Sequence, residues 1–302
     1  MAWNVFKLCT ALRALGSIMI AVVVGVVSLT YYAVVFVNYG PSLFLGGGDS
    51  LISLVVLLLF HVLLAMHLWC YFATVVADPG GVPSNWRPPI DEEISDTIPL
   101  VGSECSISDP NFLSQRTRFC RKCNQFKPQR CHHCSLCGRC VLKMDHHCVW
   151  VANCIGARNY KFFLLFLFYT LLETNVVCIS LLRLFLRFLS YGEISESPAA
   201  ILTTFIAFVL NLSFALSLLG ILIINASLVM SNTTTIEVCE KREKSESKWV
   251  YDLGKKKNFE QVFGTDKRYW LIPLFSAEDL ESMPALQGLD FPLHVAESQA
   301  SS

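Results

Sequence analysis

The sequence predicts an all-α polytopic membrane protein: four transmembrane helices with a cytosolic cysteine-rich domain between the second and the third. Three observations carry this. Hydrophobic residues make up 53% of the 302 and charged residues 16%, with a mean hydropathy of +0.49, whereas a soluble domain carries about 25% charged residues. Four long apolar runs interrupt an otherwise mixed chain. Eight of the thirteen cysteines fall within residues 120–154.

The runs are 17–37, 51–77, 160–182 and 200–230. Each reaches the ~20 residues that an α-helix needs to cross ~30 Å of hydrocarbon. Each is apolar on all sides rather than along one stripe, as a span facing lipid must be. The first run is too long for the core of a cleaved signal peptide and lacks a small-residue exit. The spans divide the chain into an N-terminus at 1–16, a middle segment at 78–159 and a tail at 231–302.

Basic residues orient these segments. Lys7 and Arg13 lie before the first span. The connections 38–50 and 188–199 hold no Lys or Arg, and the second carries Glu193 and Glu196. The middle segment holds ten Lys or Arg residues and the tail nine. The positive-inside rule then puts both termini and the middle segment in the cytosol. The three N-x-[ST] triplets, at Asn211, Asn225 and Asn232, lie in a span or on the cytosolic side, so none reads as a glycosylation site. Residues 85–110 read as a linker rich in Pro, Ser, Asp and Glu, and the last ~20 residues read as loosely ordered. Net charge is zero, and no clustered basic face argues for a nucleic-acid partner.

The cysteine block reads CRKCNQFKPQRCHHCSLCGRCVLKMDHHCVWVANC, 120–154. Two C-x2-C knuckles, Cys120/Cys123 and Cys134/Cys137, with further Cys and His close by, suit tetrahedral zinc. A dense block between membrane segments favours metal over disulfides. Besides His146 and Cys148 the block offers ten Cys or His side chains, and two zincs use eight. Adjacent side chains diverge, so His133 and Cys134 serve different metals. This suggests interleaved sets: Cys120, Cys123, His133 and Cys140 in one, Cys134, Cys137, His147 and Cys154 in the other. Spacing alone does not exclude Cys131 and His132 as ligands. Four ligands close a site, so the zincs read as staples for a segment poor in apolar residues.

Asp145, His146 and Cys148 remain. A cysteine nucleophile needs a base or cation beside it, and a carboxylate can orient and steady a histidine in that role. A third, irregular metal site is the alternative that these residue types leave open.

The block resembles the cysteine-rich domain of the DHHC family of protein S-acyltransferases (palmitoyltransferases). The matching residues are the knuckle at 120–123, Pro128, Arg130, His133, Cys134, Cys137, Cys140, the Asp145-His146-His147-Cys148 run, Trp150, Asn153, Cys154, Gly156, Asn159 and Phe163. The resemblance centres on 118–168. It extends to the four spans, to TTIE at 234–237 and to NFEQVFG at 258–264. It implies two structural zincs held by the sets above, with Cys131 and His132 unassigned. It implies Cys148 as the acylated nucleophile, His146 as base and Asp145 orienting it. Palmitoyl-CoA or a similar fatty acyl-CoA is then the donor in a ping-pong transfer. The partners are membrane lipids and substrate proteins that present cysteines at the cytosolic face. The location is an endomembrane (Golgi, endoplasmic reticulum or vesicle) or the plasma membrane.

Two competing readings are weaker. A zinc-finger adaptor without chemistry leaves Cys148 unexplained. A metal transporter wants ionisable residues in several spans, and only Glu173, His67 and His61 come close, with the histidines placed toward the cytoplasmic end. Glu173 lies ~20 Å along the third span, counting from Tyr160 at 1.5 Å per residue. A carboxylate at that depth is costly and is a functional candidate. A polar contact with Asn175 or Asn211 is the plainer expectation. In the family resembled, the third span lines the acyl-chain cavity.

Overall fold

A computed structural model describes residues 5–44, 46–88, 118–191, 197–243 and 249–293. Most of the expected linker at 85–110 lies outside the described residues, as do 294–302 of the tail.

Four long helices dominate. α1 (Val5–Tyr31) widens into a π-helical stretch, Tyr32–Tyr39, and ends in the turn Gly40–Ser42. Asn38 Nδ2 bonds the carbonyl of Ala33 at 2.6 Å, five residues back, and the Thr204 hydroxyl at 3.0 Å. α2 is Gly47–Val76, α3 is Tyr160–Tyr191 and α4 is Pro198–Met230. The stretches long and apolar enough to cross a membrane are Gly16–Ser42, Gly47–Val76, Tyr160–Leu186 and Pro198–Met230. They overlap the four apolar runs. Ser197 caps α4 by accepting from the Ala200 amide, and Pro198 sits at its first turn, where no backbone donor is needed.

α3 is the central helix and the most buried of the four, packed between α2 and α4. Leu54, Leu58, Val62, Leu216 and Ile223 point outward from α2 and α4 and are well exposed, the pattern of faces meant for lipid. α1 approaches the cysteine-rich domain at Gly16, where an added Cβ would lie 2.8 Å from Ala152 Cβ. Only a residue without a side chain lets the helix come that close.

Among its described residues the domain between α2 and α3 has no α-helix, only the 3-10 turn Val149–Val151. It consists of three antiparallel hairpins of three-residue strands: β1 (Arg118–Cys120) with β2 (Gln125–Lys127), β3 (His132–Cys134) with β4 (Arg139–Val141), and β5 (His146–Cys148) with β6 (Asn153–Ile155). Its apolar clusters are small and made largely of cysteines, with Val141, Leu142 and Met144 added. A domain with so little core needs cross-links.

The tail returns over this domain as α5 (Thr235–Glu243), α6 (Lys255–Phe263), α7 (Ala277–Ser282) and α8 (Pro284–Gln287). The expectation of a loosely ordered last stretch fails over 283–293. Ala285, Leu286 and Phe291 are buried there, and Phe291 lies 4.9 Å from the Arg130 guanidinium. Scattered apolar residues without a helical period anchor this segment, which is why no periodicity announces it. Asn258 Nδ2, in the NFEQVFG motif, donates to the Met230 carbonyl at 2.7 Å and so satisfies the exposed end of α4.

Candidate active site

The metal sets follow from strand register. On β3 and β4, His133 faces Cys140, and on β5 and β6, His147 faces Cys154. Each hairpin thus supplies one histidine and one cysteine from directly opposed positions. The knuckle Cys120/Cys123 at the end of β1 completes the first set, and Cys134/Cys137 at the end of β3 completes the second. Donor atoms in each set lie within 4.8 Å of one another. Cys123 and Cys120 sulfurs are 3.1 and 3.6 Å from His133 Nδ1, and Cys137, Cys154 and Cys134 are 3.4, 3.5 and 3.7 Å from His147 Nδ1. A tetrahedral zinc with bonds of ~2.0–2.3 Å has donor-to-donor edges of ~3.3–3.8 Å, so the donors fit zinc in both type and spacing. Neither Cys131 nor His132 joins a set. The Cys131 thiol is fully buried and burial pushes it up to about 11, and His132 faces Glu240 at 3.8 Å.

Strand alternation explains why one short run holds both metal and non-metal side chains. On β5, His147 points to the second metal set. His146 and Cys148, two residues apart, share the opposite face and line a cavity that runs down between the long helices. The cavity holds about 380 Å³ and extends to Thr30, Glu173 and Asn211.

Asp145 is 2% exposed and receives three hydrogen bonds: from His146 Nδ1 at 2.7 Å, from the Thr235 amide at 2.8 Å and from the Thr235 hydroxyl at 3.0 Å. Asp145 therefore fixes His146 through Nδ1 and leaves Nε2 for another partner. Burial opposes charge on His146, but hydrogen bonds to Asp145 and Cys148, with their charges, outweigh it and raise the ring to about 9. Thr235 starts α5, whose N-terminal amides favour an anion. TTIE is legible in the sequence, but a role for Thr235 is not. Nothing in its spacing from Asp145 marks the contact.

Glu237, from the same motif, forms a two-pronged ion pair with Arg130, at 2.7 and 2.8 Å. The Asn232 side chain and carbonyl take two more Arg130 bonds, and the Trp249, Tyr251 and Phe291 rings surround it. This joint fastens α5 to the cysteine-rich domain. Asn153 supplies a second joint by donating to the carbonyls of Thr74, Val75 and Ala77 at 2.8–3.2 Å, which closes the end of α2. Tyr71, on α2, donates to the Trp150 carbonyl at 3.0 Å. At Gly156 an added Cβ would lie 2.6 Å from the Pro79 carbonyl, so the glycine allows β6 to reach the segment after α2.

Glu173 is buried, but its partner is neither Asn175 nor Asn211. It pairs with His67 Nδ1 on α2. Asn175 bonds the carbonyl of Leu171 in its own helix, and Asn211 bonds the Thr30 hydroxyl and the Ala207 carbonyl. His67 is thus a buried residue within the helix bundle.

A family model described as DHHC palmitoyltransferase matches residues 113–242. "Probable protein S-acyltransferase 14" of Arabidopsis thaliana is 64% identical over 297 residues, covering 97% of this chain and 95% of that protein. The chain belongs to the DHHC palmitoyltransferase family. "Palmitoyltransferase ZDHHC20" of Homo sapiens is 34% identical over 288 residues, covering 91% of this chain and 77% of the human protein. This palmitoyltransferase is therefore a protein S-acyltransferase, with four helices able to cross a membrane and two cysteine–histidine sets able to hold metal.

Proposed function

We propose that the enzyme moves a long-chain acyl group from a fatty acyl-CoA to cysteines of substrate proteins at the cytosolic face, through an acyl-Cys148 intermediate. The observation that supports this most directly is the shared face of His146 and Cys148 at the head of the cavity. The acyl chain enters hydrocarbon-like surroundings, at ~0.8 kcal/mol per buried CH₂, while the polyanionic CoA stays in water near basic residues of the domain.

In the first half-reaction the Cys148 proton passes to His146, and the sulfur attacks the thioester carbonyl. The bond to the CoA sulfur breaks, and that sulfur leaves with the proton from His146. In the second half-reaction a substrate thiol gives its proton to His146 and attacks acyl-Cys148. The acyl group moves across, and Cys148 takes the proton back. Asp145 keeps Nδ1 of His146 occupied, so Nε2 serves Cys148 in both halves. Cys120, Cys123, His133 and Cys140, and Cys134, Cys137, His147 and Cys154, would hold two zincs whose contribution is to fold the hairpins. Closed four-ligand sets leave no open position for catalysis.

The test is labelling with a fatty acyl-CoA. Wild type is expected to form a hydroxylamine-sensitive acyl adduct, and Cys148→Ser to form none while holding about two zincs per chain. Labelling that persists in the Ser variant would refute the assignment.

A further inference from the structure

The cavity that starts at Cys148 does not end on apolar walls. Its deep part meets His67, Glu173, Asn211 and Thr30. His67 and Glu173 are 4% and 3% exposed and engage each other through Nδ1 and Oε2. That contact uses one nitrogen and one oxygen. His67 Nε2 is buried without a hydrogen-bond partner. Among the described residues Glu173 Oε1 has none either, since Glu173 bonds His67 through Oε2 alone. Asn211 and Thr30, which line the same cavity, bond each other at 2.9 Å.

An unsubstituted chain reaching this point lays methylenes or a methyl against polar atoms that need hydrogen bonds. Such atoms left unpaired in a buried place are costly. A hydroxyl answers the free Glu173 oxygen, because it can donate to the carboxylate that His67 holds in place. A ketone or an ether only accepts and has nothing to give Glu173.

Depth sets the position on the chain. The Phe163 ring lies 5.2 Å from the His146 ring, which puts Phe163 at the level of the acylated sulfur. Glu173 is ten residues further along α3, ~15 Å at 1.5 Å per residue. An extended chain advances ~1.25 Å per methylene, the projection of a ~1.52 Å carbon–carbon bond. The pair therefore stands near carbon 12 and beyond, by the same rough geometry.

We propose that this enzyme accepts long-chain acyl groups carrying a hydroxyl on their distal part, and that the His67–Glu173 pair recognises it. The inference rests on the reading that the acyl chain on Cys148 fills this cavity. The wild-type enzyme would be offered equal mixtures of hexadecanoyl-CoA with its 2-hydroxy, 12-hydroxy or 16-hydroxy derivative. The adduct on Cys148 would be read by intact mass. At least one distal hydroxyl is expected to outcompete the plain chain about tenfold, the worth of one net hydrogen bond, and the 2-hydroxy chain to gain nothing.

The double variant His67→Leu/Glu173→Leu removes the pair without stranding either partner, and the distal preference is expected to vanish in it. Equal labelling of wild type by plain and distal-hydroxy chains overturns the inference and leaves the acyl-Cys148 reading standing. So does a preference that survives in the double variant. Absence of labelling by every chain overturns both. The wild-type comparison decides the matter even if the double variant does not fold.

Discussion

Thr235 grips Asp145 with two donors, its amide at 2.8 Å and its hydroxyl at 3.0 Å, across ninety residues of sequence. The carboxylate that orients His146 is thus itself oriented by the first turn of a helix in the tail. Two of its three hydrogen bonds come from one residue. The third comes from His146 Nδ1, so donors on two different elements hold the carboxylate in place. The same helix carries Glu237, which locks Arg130 of the cysteine-rich domain. TTIE therefore does two jobs from positions two residues apart: Glu237 fastens the tail and Thr235 aligns the candidate active site.

Replacing Thr235 by Val keeps the amide bond and deletes the hydroxyl bond. The rate of Cys148 acylation should fall about tenfold, as one charged-group hydrogen bond is lost, and Thr235→Ser should restore most of it. Zinc content should stay at the wild-type level in both. A Val variant with a normal acylation rate would show that the amide alone positions Asp145.

The Arg130–Glu237 pair is buried on both sides, with side chains 1% and 6% exposed. Glu237→Ala leaves a buried guanidinium without its counter-ion, a change that costs about 3–5 kcal/mol. Limited proteolysis should then release the tail more readily. The pair also carries a pH signature. Burial raises the Glu237 carboxyl, but hydrogen bonds and charge from Arg130 outweigh it and hold the group below its ordinary 4.5. A carboxyl depressed in the folded state stabilises fully above its unfolded value and loses that contribution as pH falls through the folded value. Tail protection should therefore be flat above about pH 5 and decline below the unfolded value. Glu237→Gln should abolish that part of the decline. A wild-type profile that matches the Gln variant would place the acid sensitivity elsewhere.

Cys120→Ala and Cys137→Ala each remove one donor from a different metal set. Structural zinc contributes folding free energy on the order of 10 kcal/mol in small fingers, and the hairpins have little core to replace it. Zinc content should drop and protease cuts within 118–159 should rise, with activity lost as a consequence. Lost activity with full zinc content and unchanged proteolysis would mean that these cysteines act on the chemistry itself.

Physical range explains what could be read from the sequence. Spans announce themselves because lipid demands apolar side chains on every face for ~20 residues. Metal ligands announce themselves because knuckles and cross-strand pairs are local: His133 and His147 lie seven residues from Cys140 and Cys154, directly across short hairpins. The hairpins themselves were silent, since three-residue strands are too short to show a period. Long-range polar contacts were silent too. Asn153 on the end of α2, Thr235 on Asp145 and His67 on Glu173 join partners 76–106 residues apart, and no spacing rule connects them. Depth marks Glu173 as costly and as a functional candidate, and the sequence points to Asn175 and Asn211 as partners because their side chains can hydrogen-bond a carboxylate. The partner that does so lies on α2, which packs directly against α3.

That pairing sharpens the expectation for chain length. The cavity reaches from Cys148 to Glu173 and is lined along the way by Phe163, Phe166 and Leu167. An acyl chain can descend past these apolar side chains at no polar cost. At Glu173 it meets a carboxyl group tied to His67, and a terminal methyl pressed there strands the free oxygen. Plain chains should therefore be favoured up to the length that reaches the pair and disfavoured beyond it. Glu173→Ala removes the barrier and opens space, so competition among acyl-CoAs from about C10 to C20, which brackets the depth of the pair, should shift toward the longer members. Loss of the carboxyl also leaves His67 alone in the bundle, so thermal stability should fall by about 1–3 kcal/mol, and the comparison needs enzyme shown to be folded. Glu173→Gln, which keeps the size and a hydrogen-bonding oxygen, should retain the wild-type length profile. A profile unchanged in the Ala variant would make the His67–Glu173 pair a helix contact with no part in measuring the chain.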